Sequence, residues 1–287
     1  MGPQEAIDLL NAEHHTGYRL GKAFTGGQEQ GAYQVLDAAG LPAVLKISKN
    51  PRWADQVRRG QAATNHLRGV GSPVPQYLYI GAADNGSYWL ETQLPGGHAL
   101  AAPTTNQTAD LLRLIDLQKD QVISEVQGQD WVWYITDVVF RGESGNVRAL
   151  MQFSPETSAV VSAAEALVGG MQGLMPPKTD LVHGNMDITQ VLFTGETVSG
   201  ILDWDQAGYG DRTIDLVGLW YSVLDAPAAR DLVMQHMLEI SSQPAITVYA
   251  VEKILAKVAW DINTVHGDVP GEVARANQAI SILQQLA

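Results

Sequence analysis

Two periodicities share this chain, and the change from one to the other limits the folds open to it. From Tyr18 to Gln93 the apolar residues come in strand-length stretches: Tyr18–Phe24, Gly31–Asp37, Ala43–Ser48, Gln76–Ala82 and Ser87–Gln93. Thr25-Gly26-Gly27 and Asp37-Ala38-Ala39-Gly40-Leu41-Pro42 separate the first three, as the turns of an antiparallel meander do. One helix interrupts them. Asn50-Pro51 supplies its cap and first-turn proline, and it runs to about Leu67, before Gly69 and Gly71. Leu94-Pro95-Gly96-Gly97 reads as a connector, and beyond it the spacing turns helical. Leu111, Leu112, Ile115 and Val122 follow a candidate cap at Thr108, and Val160, Ala164, Leu167 and Met171 follow Ser154-Pro155-Glu156. Residues 213–224, 228–241, 245–265 and 270–286 have the same character. A strand-rich island, Leu181–Trp204, breaks the helical part, with strands at Val191–Phe193 and Val198–Leu202 around Gly195-Glu196. Trp131-Val132-Trp133-Tyr134 fits either a strand or a helix. The expected architecture is α+β, a β-rich lobe over 1–94 followed by a mostly helical lobe over 95–287.

The absence of cysteine among 287 residues excludes disulfides, thiolate metal sites and a Cys nucleophile. No basic, apolar leader is seen over Met1–Asn11, and no apolar run approaches ~18 residues, so a cytoplasmic protein without membrane contact is expected. Residues 1–99 carry eight basic and eight acidic groups, so the whole net charge of −13 falls on residues 100–287. A field of that sign repels nucleic acid and attracts cations. On composition alone, a solubility charge on helical surfaces is the preferred explanation. His14-His15 reads as a surface pair, and Trp53, Trp89, Trp204, Trp220 and Trp260 read as core. Trp131 and Trp133 are candidates for core or for a substrate cleft.

Chemistry concentrates in Leu181-Val182-His183-Gly184-Asn185-Met186-Asp187-Ile188-Thr189-Gln190, followed by Ile201-Leu202-Asp203-Trp204-Asp205, Gly208-Tyr209-Gly210-Asp211 and Asp215-Leu216. An apolar strand ending in His-Gly and a hairpin ending in Asp set several polar groups at one rim. Asp203 at a strand mouth needs a cation or donors unless it caps the next turn. Lys46 interrupts the apolar run Val44-Leu45-Lys46-Ile47, where an ammonium needs an anion or must snorkel outward.

This composite resembles the aminoglycoside phosphotransferase and choline kinase-like family, relatives of protein kinases. The family's His-Gly-Asp-x4-Asn, Ile-Asp-Trp and Gly-Asp-x3-Asp-Leu pattern covers residues 181–216 nearly position for position. The resemblance implies a two-lobe protein-kinase-like fold and transfer of the γ-phosphoryl group of ATP or GTP, with Mg²⁺, to a hydroxyl of a small molecule. By the same resemblance, Lys46 holds the α- and β-phosphates under a loop containing Gly26 and Gly27. The strand carrying Glu91 and Gln93 meets the nucleotide base through its backbone, and Asp203 and Gln190 hold the metal. His183 shapes the catalytic loop, Asp215 braces it, and position 185 faces the acceptor hydroxyl. Asp187 and Asp205 are expected at a cationic acceptor.

Three positions depart from the family pattern. Asn185 stands where a catalytic aspartate is expected, and an amide cannot accept the hydroxyl proton as a carboxylate does. Gln190 replaces an asparagine. Gln61 replaces the helix glutamate expected to pair with Lys46, with Asp55 as a nearby substitute. The acidic second lobe points to a cationic antibiotic as acceptor, an aminoglycoside or a basic peptide, and so to a resistance enzyme, present here as an Asp-to-Asn form. The alternatives are a metabolic kinase of choline, homoserine or fructosamine type, and a degenerate kinase that only binds its ligand.

Overall fold

The computed structural model describes residues 1–24, 31–95, 97, 102–141, 144–265 and 267–286. It divides into two compact units, one comprising Met1–His98, Val191–Thr194 and Val198–Ala207, the other Ala99–Gln190, Gly195–Thr197 and Gly208–Ala287.

The chain opens with α1 (Pro3–His14), then β1 (Arg19–Ala23), β2 (Ala32–Leu36) and β3 (Pro42–Ser48). Helix α2 (Trp53–Gly69) leads to β4 (Tyr77–Ala83) and β5 (Gly86–Thr92). These five strands form one antiparallel sheet in the order β1-β2-β3-β5-β4, so β5 returns between β3 and β4. Side chains alternate across a strand, which gives the sheet two different faces. On one, Leu45, Tyr88 and Leu90 bury against Ile7 and Leu10 of α1. On the other, Tyr77 and Trp89 pack on Val57 of α2. Helix α1 is an addition to the expected elements, its apolar spacing covering too few residues to announce it. His14 at its end is half-buried and stacks on Tyr79 with ring centroids 4.3 Å apart, a packing role in place of the expected surface position.

The second unit is helical: α3 (Thr105–Asp116), α4 (Trp131–Arg141), α5 (Gly145–Phe153) and α6 (Pro155–Val168) precede the short β6 (Asp180–Val182). The hairpin β7 (Val191–Thr194) and β8 (Thr197–Ile201), whose strands apart from Thr197 belong to the first unit, turns at Gly195, whose φ of 60° suits glycine. After β9 (Gly208–Gly210), which pairs with β6, come α7 (Thr213–Ser222), α8 (Pro227–Ile240), α9 (Gln243–Asn263) and α10 (Val269–Leu286). Helix α9 is the hub, packing on α4, α5, α6, α7 and α10 with buried residues around most of its girth. No described helix is long and apolar enough to cross a membrane.

Ser154 caps α6 as expected, accepting from Thr157 N. Helix α3 starts earlier than Thr108 suggests. Thr104 is its cap and exchanges bonds with Gln107, while the Thr108 hydroxyl donates to Thr104 O at 2.8 Å. Trp131–Tyr134 is the first turn of a helix. Trp133 is 57% exposed and Trp260 38% exposed, so neither is core, unlike Trp89, Trp204 and Trp220.

Candidate functional site

In the first unit the site starts from sheet register. Lys46 faces Trp89 and Val44 faces Glu91, so Lys46 and Glu91 lie diagonally on one face of adjacent strands. Lys46 Nζ is 3.0 Å from Glu91 Oε1, with Glu91 only 2% exposed, and it also donates to Asp203 Oδ1. Burial opposes the lysine's charge, but Asp203 and Glu91 more than offset it and hold Lys46 well above the ordinary lysine pKa. Burial raises Glu91, with Lys46 working against the rise.

Asp203 follows β8 in a left-handed conformation, φ 60° and ψ 53°, and leads into the 3-10 turn Trp204–Gln206. Three contacts fix that turn. Trp204 Nε1 donates to Ile201 O at 3.0 Å, and Trp53 Nε1 of α2 donates to Asp205 Oδ2 at 2.9 Å. Gly60 of α2 lies so close that a Cβ there would stand 2.5 Å from Trp204 O.

The expected partners of Lys46 are engaged elsewhere. Gln61 Nε2 donates to Tyr77 O at 3.2 Å, and Asp55 accepts from Arg58 one helical turn away at 2.8 Å. Glu91, expected to meet a nucleotide base through its backbone, lies within the ladders of β5 to β3 and β4, with its carboxylate turned to Lys46. Gln93 is past the end of β5, its side-chain oxygen accepting from Gln34 Nε2 at 2.9 Å. Gly26 and Gly27 lie outside the described residues.

In the second unit, β6 ends at Val182 and is followed by His183, which is fully buried. Asp215, in the first turn of α7, accepts from His183 N at 2.7 Å and Gly184 N at 2.9 Å. Gly184 has φ 83°, and the Trp131 ring fills the space where its Cβ would be, 2.4 Å away. His183 Nδ1 accepts from Asn185 N at 3.3 Å, which fixes the loop's first turn. Met186 and Ile188 then anchor the loop inside, while Asn185 is exposed and Asp187 and Gln190 are half-buried. Asp187 Oδ1 accepts from Thr189 N at 3.0 Å and Thr189 Oγ1 at 2.9 Å, and Lys257 Nζ is 3.8 Å from Oδ2.

Asp187 lines a cleft of about 760 Å³ in this unit, together with Asp225, Asp261, Asp268 and Glu272. Lys257 and Arg275 are its cations, and Arg275 is paired with Asp225 at 2.8 Å. Burial raises Asp261 above the usual aspartate range; Lys257 opposes the rise and Asp268 adds to it. The last four acids escaped residue-level reading because they come from the segment before α8, from α9, from the residue before α10 and from the first turn of α10. Only the acidic excess of residues 100–287 signalled them. Asp205, expected beside Asp187, does not line this cleft and is held by Trp53. Among the described residues no group of three or more His, Cys, Asp or Glu is placed to hold a metal.

The sequence profile of the phosphotransferase enzyme family (APH) matches residues 21–118 and 145–246. No curated protein sequence matches the chain. Among solved structures, it is similar to the aminoglycoside phosphotransferase APH(4)-Ia, with TM-score 0.75 and 16% identity over 100% of both chains. It is also similar to the amicoumacin kinase hAmiN, with TM-score 0.67 and 14% identity over 100% of this chain and 98% of that one. The macrolide 2′-phosphotransferase MphH from Brachybacterium faecium gives 0.60 and 18% over 98% of each. The small antiparallel sheet and the large helical unit are those of the kinase-like phosphotransferase fold. With two thirds of the chain matched by one profile and the whole of it by that fold, the chain belongs to the phosphotransferase enzyme family.

Proposed function

We propose that this chain is an O-phosphotransferase that moves the γ-phosphoryl group of ATP or GTP to a hydroxyl of a cationic small-molecule antibiotic, an aminoglycoside or a basic peptide, and so confers resistance to it. The observation that carries the reading is the cleft's charge: five carboxylates against two cations, Arg275 paired with Asp225 and Lys257 with Asp187, which leaves three acids in excess. Such a surface favours a polycation and disfavours an anionic metabolite. The fold neighbours agree in ligand class. A thermostable mutant of APH(4)-Ia is known with AMP-PNP and hygromycin B, and the amicoumacin kinase hAmiN with AMP-PNP, Ca²⁺ and Ami.

The family resemblance assigns each residue its role. Lys46 holds phosphate oxygens, and the backbone at Gln93 meets the base. Asp203 and Gln190 offer a carboxylate and an amide oxygen, hard donors that suit Mg²⁺. An ion that takes one or two protein oxygens and completes its shell with phosphates and water needs no larger acidic cluster. When bound, Mg²⁺ neutralises phosphate charge. His183 and Asp215 hold the loop, Asn185 orients the acceptor hydroxyl, and Asp187 attracts its ammonium groups.

Asn185 decides how fast such an enzyme runs. It can position a hydroxyl but not take its proton, and general-base assistance is worth about 10²–10⁴-fold. Asn185→Asp is expected to raise kcat on cationic antibiotics by that order, measured by nucleotide turnover across a panel of aminoglycosides and basic peptides. Turnover of choline, homoserine or ketosamines, with none on the panel, would replace this reading by a metabolic kinase. Asn185 itself favours a second reading, a protein that only sequesters its ligand. Tight nucleotide and ligand binding with no turnover in either form is its signature.

A further inference from the structure

We infer that Glu91 is the positioning residue for Lys46, taking from strand β5 the part that helix α2 does not supply. This rests on Lys46 being the phosphate ligand proposed above. The geometry is direct: a 3.0 Å ion pair across neighbouring strands, inside a sheet whose ladders fix both backbones. Helix α2 carries no acid free to compete, because Gln61 is bonded to Tyr77 O and Asp55 to Arg58.

Stability does not explain the pair. A carboxylate 2% exposed is costly to desolvate, and a buried ion pair replaced by apolar residues is commonly neutral or stabilising. Glu91 Oε2 also lies buried without a hydrogen-bond partner, so the carboxylate is spent on Lys46 through one oxygen. What the pair provides is direction. Lys46 is tethered at a fixed point between Glu91 and Asp203, ready to exchange a partner for phosphate oxygens. Since both halves sit on one sheet, the lysine's aim does not depend on where α2 stands. Helix α2 instead holds the Asp203 turn, through Gly60 and Trp53.

The test is calorimetric titration with Mg·AMP-PNP of the full chain and of Lys46→Ala, Glu91→Gln, Glu91→Asp and Gln61→Glu, with thermal melts of each. Losing a charged hydrogen bond that orients a ligand group is expected to weaken binding about tenfold or more in Glu91→Gln. Glu91→Asp is expected between Glu91→Gln and the parent, and Gln61→Glu is expected to match the parent. Parental or tighter binding by Glu91→Gln, with Lys46→Ala weakened, overturns the inference and leaves the reading of Lys46 intact. Parental binding by Lys46→Ala overturns the reading itself. Should Glu91→Gln fail to fold, parental binding by Glu91→Asp, or a large gain in Gln61→Glu, overturns the inference.

Discussion

A carboxylate such as Asp215, 1% exposed and bonded to two consecutive backbone N–H groups, cannot be removed without leaving both donors dry. Each buried donor left unpaired costs roughly 1–3 kcal/mol, so Asp215→Ala is expected to lower stability by about 2–4 kcal/mol in urea titrations. Glu252 on α9 supplies a pH signature. Burial pushes its carboxyl up to about 7, with Lys253 pulling the other way. The folded state therefore holds a proton that the unfolded chain has released above the ordinary glutamate value near 4.5. Below that value the group contributes nothing. Stability then falls as pH rises towards 7 and levels off above it. The loss is expected to be on the order of 1–2 kcal/mol, less than full linkage gives because the side chain is half-buried and water screens it. Glu252→Gln is expected to flatten that fall, read from melting temperatures between pH 4.5 and 8.

Between elements, one tight joint beside a candidate ligand is α2 on the Trp204–Gln206 turn. Gly60→Ala must push a methyl group against a carbonyl oxygen, an overpacking that costs roughly 1–3 kcal/mol. The displaced backbone carries Asp203, so nucleotide affinity is expected to fall together with melting temperature. Trp53→Phe keeps an aromatic side chain, loses the bond to Asp205 and part of the indole's packing, and about 1 kcal/mol is expected for the bond alone. Helix ends were legible at Ser154, but not at Asn50-Pro51: α2 starts at Trp53 with Arg52 as its cap, and Asn50 Oδ1 accepts from Arg52 N at 3.0 Å in the turn before it. Thr108 misled because threonine hydroxyls also bond back to the carbonyl four residues earlier, as this one does. The short β9 and the helix α5 were not legible, since three and nine residues carry little periodicity.

Over the whole molecule the charge division is the quantity on which the proposed cationic acceptor rests. Residues 1–99 are neutral and residues 100–287 carry −13, and the cleft gathers acids from the distant positions 187, 225, 261, 268 and 272. A cationic antibiotic is therefore expected to lose affinity with salt, as screening shortens to about 8 Å near 0.15 M. Asp261→Asn and Asp268→Asn are each expected to weaken it several-fold while leaving Mg·AMP-PNP affinity unchanged, both measured by calorimetry. Equal affinity in all three proteins would show that these acids serve only solubility.

Local chemistry wrote much of this protein into its sequence. Strand and helix periods, the glycine at 184, the His-Gly and Asp-Trp motifs and the acidic excess can all be read from residues near one another in the chain, because each reflects a short-range requirement on backbone or charge. Which acid meets Lys46 was settled only by tertiary structure. Glu91 is 45 positions away from it and becomes a neighbour through the return of β5 between β3 and β4. The same holds for the cleft, whose acids are remote in sequence and converge only once α9 and α10 have packed. Sequence spacing fixes what a segment becomes, whereas the pairing of distant charges depends on sheet order and helix packing.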